Sequence, residues 1–331
     1  MLKIAIDLGT AVTKIYKVGS GIVLSEATCI AVNETTKETE AYGNEAKEML
    51  GRAASKTSVH FPVCEGEIVN VAYAVDLLEE FFRKIGLKNK QAIEALFVVP
   101  CGIPSKVKEQ YFTVCDELDI SGIHFVEAPC LAAVGSDVPL SSSNPAFVIN
   151  IGAGVTGIGV LSSTGMIAGI SANLGGNNMD AHIVDSVAEK CALKIGALTA
   201  EKIKNTVGSL VEGDNQSMVV NGSEMKTGKP ESIVVSVPSI LYPICSYLDK
   251  IIEYAVMLLR KLPAEVSASI CRRGLYLSGG VANIPGIGDY FSQKLEMPVR
   301  VSEEPQMAVV LGAGRMISDG RMLEQFEIVM K

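Results

Sequence analysis

Tryptophan is absent from the chain, and histidine is rare, with only His60, His124 and His182 among 331 residues. The eight cysteines are scattered, and none of them forms the C-x-x-C spacing that is common in zinc and redox sites. Because structural zinc sites draw mainly on cysteine and histidine, a zinc site is not expected. We predict that the cysteines are reduced, buried thiols, as in a cytoplasmic protein.

Long apolar runs and basic clusters are also missing. No apolar run reaches the roughly 18 residues that a membrane-spanning helix needs, and a strand-like segment begins at residue 2. We therefore expect neither a transmembrane helix nor a signal peptide. The formal net charge is -8 without any Lys/Arg run, which argues against direct binding of nucleic acid. The absence of tryptophan also weakens the case for an interfacial membrane anchor.

What remains is an ordinary globular composition, with 48% hydrophobic and 20% charged residues. Short apolar segments alternate with segments of helical periodicity, a pattern typical of α/β proteins. The second half repeats the plan of the first, so we predict two duplicated α/β domains with a ligand cleft between them. The domains are expected at residues 1–142 and 143–331, with small subdomains at about 30–70 and about 180–240.

Individual segments make this prediction specific. A helix is expected at 72–85, where apolar residues recur at helical spacing, and a buried strand at 95–100, an apolar run that ends in proline. The segment GIVLSEATCIAV (21–32) is expected to be a strand, and a long helical region is expected at about 177–210. The polar, glycine-rich stretch at 213–232 predicts a hairpin or a protruding subdomain.

Two glycine turns occupy matching places in the two halves, in KIAIDLGTAVTKIYKV and FVINIGAGVTGIGVL. A shift of 143 residues places Gly9 on Gly152, but it places Asp7 on Asn150. The second segment also spells G-x-G-x-x-G, the fingerprint of a dinucleotide fold. In that fold the glycine loop leads directly into a helix. Here the β-branched segment that follows Gly157 predicts a second strand, and therefore a hairpin.

A P-loop is excluded as well. The segment GSEMKTGKP (222–230) has five residues between its two glycines where the motif has four, and Pro230 replaces the Ser or Thr that would bind magnesium. The remaining interpretation is a pair of phosphate-binding hairpins that face each other. Glycines let backbone N–H groups approach phosphate oxygens, and a carboxylate at a strand end can hold Mg²⁺ through its waters.

The chain resembles the actin-like ATPase superfamily in three segments: IDLGTAVTKIY, INIGAGVTGIGV and LYLSGGVANIPGI. Further segments are similar to the MreB branch of bacterial actins, which includes MreB-like and MamK-like proteins: YGNEAKEMLGR, VEAPCLAAVG, LGGNNMDAHIV, LTAEKIKNTVGS and EEPQMAVVLGAGRMI. The resemblance extends from about residue 3 to residue 317. It implies an actin-like ATPase fold, with ATP or ADP and Mg²⁺ as ligands.

The resemblance also implies which residues contact the nucleotide. They are Gly9, Thr10, Thr13 and Lys14 in the first hairpin, Gly152, Gly154, Val155 and Thr156 in the second, and Gly175, Gly176, Glu201, Lys204, Gly279 and Gly280 elsewhere. An ammonium at Lys14 would neutralise phosphate charge, and a solvated lysine at a strand end is the alternative. The pair Glu201 and Lys204, which the resemblance places at ribose and adenine, also has the spacing of an ordinary surface pair on a helix.

Hydrolysis chemistry is expected from Asp7, Glu127 and Asn150. The resemblance implies that Asp7 holds Mg²⁺ through water and that Glu127 orients the attacking water, with helix capping as the alternative for Glu127. At position 150 the family has an aspartate, whereas asparagine is nearly isosteric but neutral. Loss of that charge costs about 1–3 kcal/mol, or roughly 10- to 100-fold in rate. We therefore expect ATP binding with slow hydrolysis.

Other positions also depart from the family pattern. Ala128 stands where the family has a second glutamate, and Asn177 and Asn178 replace an acidic pair. Because these residues are neutral, a nucleotide-binding scaffold that does not hydrolyse ATP is an alternative function.

The resemblance implies a cytoskeletal ATPase that assembles with itself into double protofilaments, for cell shape or intracellular positioning. A plasmid- or organelle-positioning actin is an alternative, and a monomeric chaperone-like or kinase-like ATPase is disfavoured because a substrate domain is absent. Partners in the cell-wall machinery or at the inner face of the membrane are also implied. The loop GLKNKQAIEA (86–95) is largely polar, which argues against direct membrane binding.

Overall fold

Two five-stranded sheets organise the chain, one in each half. The structure is a computed structural model, and it describes residues 1–51, 56–87, 92–142 and 144–328.

The first half contains ten strands and four helices among its described residues. The strands are β1 (Leu2–Leu8), β2 (Val12–Lys17), β3 (Gly21–Ala27), β4 (Ile30–Asn33), β5 (Thr39–Tyr42), β6 (Thr57–His60), β7 (Val63–Cys64), β8 (Glu67–Ile68), β9 (Ile93–Val99) and β10 (Gly122–Glu127). The helices are α1 (Gly43–Glu48), α2 (Val71–Lys84), α3 (Ser105–Glu117) and α4 (Ala128–Gly135).

The second half contains eight strands and seven α-helices among its described residues. The strands are β11 (Ala146–Ile151), β12 (Thr156–Ser162), β13 (Gly165–Ala172), β14 (Leu193–Lys194), β15 (Ser217–Glu224), β16 (Pro230–Ser236), β17 (Leu275–Ser278) and β18 (Val299–Val301). The helices are α5 (Gly176–Cys191), α6 (Ala197–Val207), α7 (Val237–Arg260), α8 (Ala264–Arg273), α9 (Ile287–Leu295), α10 (Ala308–Ser318) and α11 (Gly320–Phe326), with a short 3-10 helix at Gly280–Asn283.

The two large sheets have the same topology. Their strand orders are β10-β9-β1-β2-β3 and β18-β17-β11-β12-β13. In each sheet three consecutive strands form an antiparallel meander, and two later strands extend the sheet in parallel beyond its first strand. Because two independent folds would rarely share this order, the structure confirms the predicted duplication.

Helix α2 illustrates how the sequence pattern becomes packing. The side chain of Asn70 accepts a hydrogen bond from the backbone N–H of Tyr73 and so caps the helix. One face of the helix is buried against the first sheet, and it consists of Ala74, Leu77, Leu78, Phe81 and Phe82. Burial of a large apolar side chain contributes about 1.5–3 kcal/mol, so this stripe holds the predicted helix in place.

The long helical region predicted at about 177–210 consists of two helices, α5 and α6, separated by a short strand. Helix α5 ends where Ala192 adopts the left-handed conformation, with φ 51°, and α6 begins only after Gly196. The short strand β14 lies between the two helices and pairs with β15, which forms a hairpin with β16. This hairpin overlaps the polar stretch at 213–232, for which the sequence predicted either a hairpin or a protruding subdomain.

Three further expectations need correction. The segment predicted as one strand at 21–32 divides near Thr28 into β3 and β4, which belong to different sheets. Helices α8 and α11 were not anticipated. All eight cysteines are free, but only four of them are buried, and Cys64, Cys191 and Cys271 are exposed.

Helix α10 returns to the first half of the molecule. It packs against α4 and against β1, β2 and β9. The backbones of α4 and α10 touch, because a side chain at Gly135 would collide with the carbonyl of Ala308 and one at Gly312 would collide with the carbonyl of Leu131. The division of the chain at residues 142 and 143 stays a prediction, and these contacts add a C-terminal helix to the first sheet.

Within the described parts of the chain, no helix is long and apolar enough to cross a membrane. The same residues contain no group of three or more His, Cys, Asp or Glu side chains that could hold a metal ion. The polar loop at 86–95 lies partly outside the described residues, at 88–91, so its expected lack of membrane binding stays a prediction.

Candidate functional site

A cavity of about 550 Å³ lies between the two halves of the molecule. Both glycine turns, the N-terminal part of α5, helix α6 and the turn after β17 contribute to its wall. Binding sites for small molecules usually measure about 300–1,000 Å³. The cavity is therefore large enough for a nucleotide-sized ligand.

The first hairpin brings an acid and a base to this cavity. In the ladder between β1 and β2, Asp7 lies opposite Lys14, and Lys14 Nζ is 3.4 Å from Asp7 Oδ2. Both side chains line the cavity, and the Lys14 side chain is only 14% exposed. Lys14 is therefore not a solvated lysine at a strand end, which removes the alternative for this residue.

The second hairpin places Asn150 at the equivalent position. Its Oδ1 accepts a hydrogen bond of 3.2 Å from the hydroxyl of Ser278 on β17, and Asn150 lines the cavity. An amide has one acceptor oxygen and an NH₂ group that only donates. The Ser278 hydroxyl engages one of the two lone pairs of this oxygen, and the NH₂ group is the donor that an asparagine has and a carboxylate lacks. It can meet a phosphate oxygen, whereas it cannot accept a hydrogen bond from a metal-bound water.

The two hairpins touch each other. A side chain at Gly154 would place its Cβ 2.5 Å from Thr10 Oγ1, a distance at which real Cβ atoms clash. Only glycine therefore lets the second turn approach the first this closely. The contact brings the two turns, both of which line the cavity, side by side.

A buried ion pair between α5 and α6 also lines the cavity. Lys204 Nζ donates to Asp180 Oδ2 at 2.8 Å and to the backbone carbonyl of Gly176 at 3.0 Å. The side chains of Lys204 and Asp180 are 10% and 9% exposed, so Lys204 is not part of an ordinary surface pair. Burial raises the pKa of Asp180, and the ammonium of Lys204 opposes that rise.

Two contacts cross the mouth of the cleft. Lys47 of α1 forms an ion pair of 2.9 Å with Glu201 of α6, and Asn173 Nδ2 donates to Glu65 Oε2 at 2.9 Å. Each contact joins a residue of the first half to one of the second. Glu201, which the resemblance places at the nucleoside, therefore also links the two halves.

Glu127 lies beside the cavity. Its Oε1 accepts a hydrogen bond of 2.9 Å from the backbone N–H of Gly102. Burial raises the pKa of Glu127 above its usual value, and the Gly102 N–H and the charge of Lys108 oppose that rise. The next residue, Ala128, lines the cavity, whereas Glu127 itself does not. A carboxylate with a raised pKa is suited to accept a proton from water.

Most of the residues expected at the nucleotide come together in this cavity. Those that line it are Asp7, Gly9, Thr10, Lys14, Asn150, Gly152, Gly154, Val155, Gly176, Glu201, Lys204, Gly279 and Gly280. Those that do not are Thr13, Glu127, Thr156 and Gly175. The hydroxyls of Thr13 and Thr156 have protein partners, Thr28 Oγ1 at 2.8 Å and the Leu174 carbonyl at 2.7 Å. The expected contacts of Thr13 and Thr156 with the nucleotide stay a prediction.

Sequence reasoning missed several residues of the wall. Asp180 was not among the residues expected at the nucleotide, although it follows Gly176 by four residues and so lies on the same helix face. Asn205 and Asn283 also line the cavity. Neither position carries a local pattern that distinguishes it from an ordinary surface asparagine, so only the fold brings them to the cavity.

The donor set fits a magnesium ion that is bound mainly by phosphate and water. Mg²⁺ usually keeps several waters and takes one or two carboxylates together with substrate phosphates. Asp7 supplies one partly buried carboxylate at the cavity wall, next to the turns that offer backbone N–H groups to phosphate.

The duplicated sheets with two hairpins facing one cleft define the actin-like fold. The solved structure of MreB 5 of Spiroplasma citri bound to AMPPNP matches the chain with a TM-score of 0.93 and 27% identity, and the match covers 97% of each chain. The family model described as MreB/Mbl protein matches residues 1–325. The chain belongs to the MreB/Mbl family.

Curated relatives agree with this assignment. The cell shape-determining protein Mbl of Bacillus cereus is 30% identical over 318 residues, which is 96% of both chains. The cell shape-determining protein MreB of Escherichia coli K12 is 29% identical over 319 residues, 94% of this chain and 92% of the relative. A MamK double helical filament has a TM-score of 0.82 at 20% identity and covers 96% of this chain and 99% of its own, and this likeness supports the fold alone.

Proposed function

We propose that this protein binds ATP and ADP with Mg²⁺ in the cavity between its halves and assembles into filaments of two protofilaments. The observation that carries the proposal is the contact of Thr10 with Gly154, which sets two glycine turns on one cavity. The structures of MreB5 of Spiroplasma citri with AMPPNP and with ADP support nucleotide as the ligand. The MamK filament is an example of this fold in a double helical assembly.

Each half of the site has a distinct part in the chemistry. Asp7 would hold Mg²⁺ through water, and the bound ion would neutralise charge on the phosphates. Lys14 adds a positive charge beside them, and Glu127 orients the attacking water and accepts its proton. Asn150 offers a donor where hydrolysis needs an acceptor for water. The protein therefore binds ATP firmly through backbone contacts and hydrolyses it slowly.

The name of the curated relatives supports a role in cell shape. The filaments would lie in the cytoplasm, with partners in the cell-wall machinery or at the inner face of the membrane. Positioning of a plasmid or an organelle is the alternative cargo. A scaffold that binds nucleotide without turnover is the second candidate function, and the pairing of Asn150 with Ser278 favours it.

Sedimentation of the purified protein tests assembly. With ATP and Mg²⁺ we expect pelleted protein and increased light scattering, and a protein that stays monomeric at high concentration would contradict the proposal. The variant Gly154→Val should lose ATP-dependent pelleting, because its side chain collides with Thr10. Gly196→Val is the matched control, since a Cβ at Gly196 meets no atom within 4 Å, and it should pellet like the wild type.

A further inference from the structure

Ser171 joins the second half of the molecule to a loop of the first. Its Oγ accepts a hydrogen bond of 2.8 Å from the backbone N–H of Cys101. Ser171 belongs to β13, whereas Cys101 lies in the loop between β9 and α3. Ser171 also lines the cavity, and Cys101 is buried. The Ser171 hydroxyl is therefore a bridge between the two halves at the cavity wall.

The same loop holds the side chain of Glu127. The N–H of Gly102, which follows that of Cys101, donates to Glu127 Oε1 at 2.9 Å. Within the described parts of the chain, this is the one hydrogen bond that reaches the Glu127 side chain. Two consecutive N–H groups of the loop are thus bound by two side chains, Ser171 from the second half and Glu127 from the first.

Strand β13 supports the loop at a second position. A Cβ at Gly169 would lie 3.3 Å from Cys101 Sγ, so the Cys101 side chain packs against this strand. Residues two apart in a strand lie on the same face, and Gly169 and Ser171 therefore contact Cys101 from one face of β13. The position of Cys101, and with it that of the next residue, Gly102, depends on the second half of the molecule.

We propose that Ser171 is a positioning residue for ATP hydrolysis, because it holds the backbone at Cys101 and thereby aims the Gly102 N–H at the Glu127 carboxylate. This inference rests on the proposed hydrolysis of ATP with Glu127 as the base. Ser171 acts through the loop backbone and takes no proton itself. The second half of the molecule thus sets the orientation of a carboxylate that belongs to the first.

Loss of the Ser171 hydroxyl has two expected consequences. The buried N–H of Cys101 loses its partner, and a hydrogen bond of ordinary net strength corresponds to roughly 2- to 10-fold in a rate. The Gly102 N–H lowers the pKa of Glu127 against the effect of burial. A looser loop weakens this hydrogen bond, so the pKa of Glu127 should rise further.

The other titratable groups around Glu127 keep their charge in this substitution. The positive charge of Lys108 on α3 lowers the pKa of Glu127. The thiols of Cys101 and Cys130 stay protonated, because burial raises the pKa of each. The Gly102 hydrogen bond is therefore the contact through which Ser171 changes the titration of Glu127.

The pH dependence of phosphate release by Ser171→Ala tests the inference. At saturating ATP and Mg²⁺ we expect the rate to fall roughly 2- to 10-fold and its inflection on the acid side to move to higher pH. The affinity for ATP, measured by calorimetric titration, should be unchanged. Asn173→Ala is the matched control, because it breaks another contact between the halves, with Glu65, and it should keep the wild-type inflection.

Two further measurements separate positioning from a general loss of structure. Ser171→Thr keeps the hydroxyl and should restore both the rate and the inflection. Amide hydrogen exchange resolved at Gly102 does not depend on turnover. It should be faster in Ser171→Ala than in the wild type, although the bond from Ser171 goes to Cys101, and it should be unchanged in Asn173→Ala.

The outcomes distinguish this inference from the proposed function. A wild-type inflection in Ser171→Ala, unchanged exchange at Gly102, or a loss of ATP affinity in place of the loss of rate would overturn the inference alone. The same inflection shift in the alanine and threonine variants would also overturn it, because the hydroxyl would not be responsible. A wild type that binds ATP without releasing phosphate would overturn the inference and the proposed hydrolysis together.

Discussion

The two glycine hairpins share one backbone register and differ in charge. In the first, Asp7 lies opposite Lys14, and the two form an ion pair. In the second, Asn150 lies opposite Gly157, so both charges are missing. The comparison separates two requirements of a phosphate site. The backbone register, on which the proposed phosphate binding depends, is the same in both copies, whereas the charged pair occurs only in the first.

The parts that hold each hairpin in place are also matched. Thr13 and Thr156 are fully buried, and each hydroxyl reaches the segment that follows the third strand of its sheet, at Thr28 and Leu174 respectively. These two hydrogen bonds tie each hairpin to the segment that follows the third strand of its sheet. The duplication has therefore kept its structural hydrogen bonds more strictly than its charges.

Removing the carboxylate assigned to the attacking water should have the largest effect. Glu127→Gln leaves neither half with a base for water, and we expect ATP hydrolysis to fall by roughly 100- to 10,000-fold. Phosphate release is the measurement, with ATP affinity unchanged. Glu117→Gln removes an exposed acid of α3 and should hydrolyse at the wild-type rate. Unchanged hydrolysis in the Glu127 variant would rule out its role.

The pH dependence of hydrolysis provides a second measure of Glu127. Burial raises its pKa above the usual 4.5, and the base acts only when it is deprotonated. The rate should therefore be full above the raised pKa and fall about tenfold per pH unit below it. An inflection at or below pH 4.5 would contradict this expectation, and the residual rate of Glu127→Gln should lack the inflection.

Restoring the missing charge should make the two hairpins alike. Asn150→Asp keeps the acceptor for Ser278 and adds an oxygen that can accept from a metal-bound water, so phosphate release should rise roughly 10- to 100-fold. Asn221→Asp adds the same charge on the exposed hairpin of β15 and should have no effect. A wild-type rate at least as high as that of the Asn150 variant would exclude the explanation of slow turnover.

The matched threonines should be equivalent in stability. Thr13→Val leaves the Thr28 hydroxyl buried without its partner, and Thr156→Val does the same to the Leu174 carbonyl. Each should lower the free energy of unfolding by about 1–3 kcal/mol, measured by denaturant titration. Thr113→Val, at an exposed helix position, should change it little. A large difference between the two buried variants would indicate that the hairpins are not fastened alike.

The smallest effect is expected where the halves meet at the cleft mouth. Lys47→Ala breaks the ion pair with Glu201, whose partners are about one-third exposed. Such a pair contributes about 0–1 kcal/mol, so release of a fluorescent nucleotide should accelerate by up to about fivefold. Lys294→Ala breaks a pair with Asp249 inside the second half and should leave the release rate unchanged. Equal release rates in both variants would argue against a contribution of the Lys47 pair.

The sequence predicted the hairpins because their signal is local. Glycines, β-branched residues and the shifted copy around Asn150 all lie within a few residues of one another. The end of α5 at Ala192 was missed because nothing but its backbone conformation marks it. The contact of Lys47 with Glu201 joins residues 154 positions apart, and the hydrogen bond of Ser171 with Cys101 joins residues 70 positions apart. Such features arise from tertiary packing, which no local pattern encodes.

The return of α10 to the first half has a mechanical consequence. The chain passes from one half to the other after α4 and passes back between β18 and α10. Two bodies joined at two points turn most freely about the line through those points. We therefore expect the cavity to open by a rotation about this line, and the contact of Gly135 with Ala308 places the two crossings next to each other.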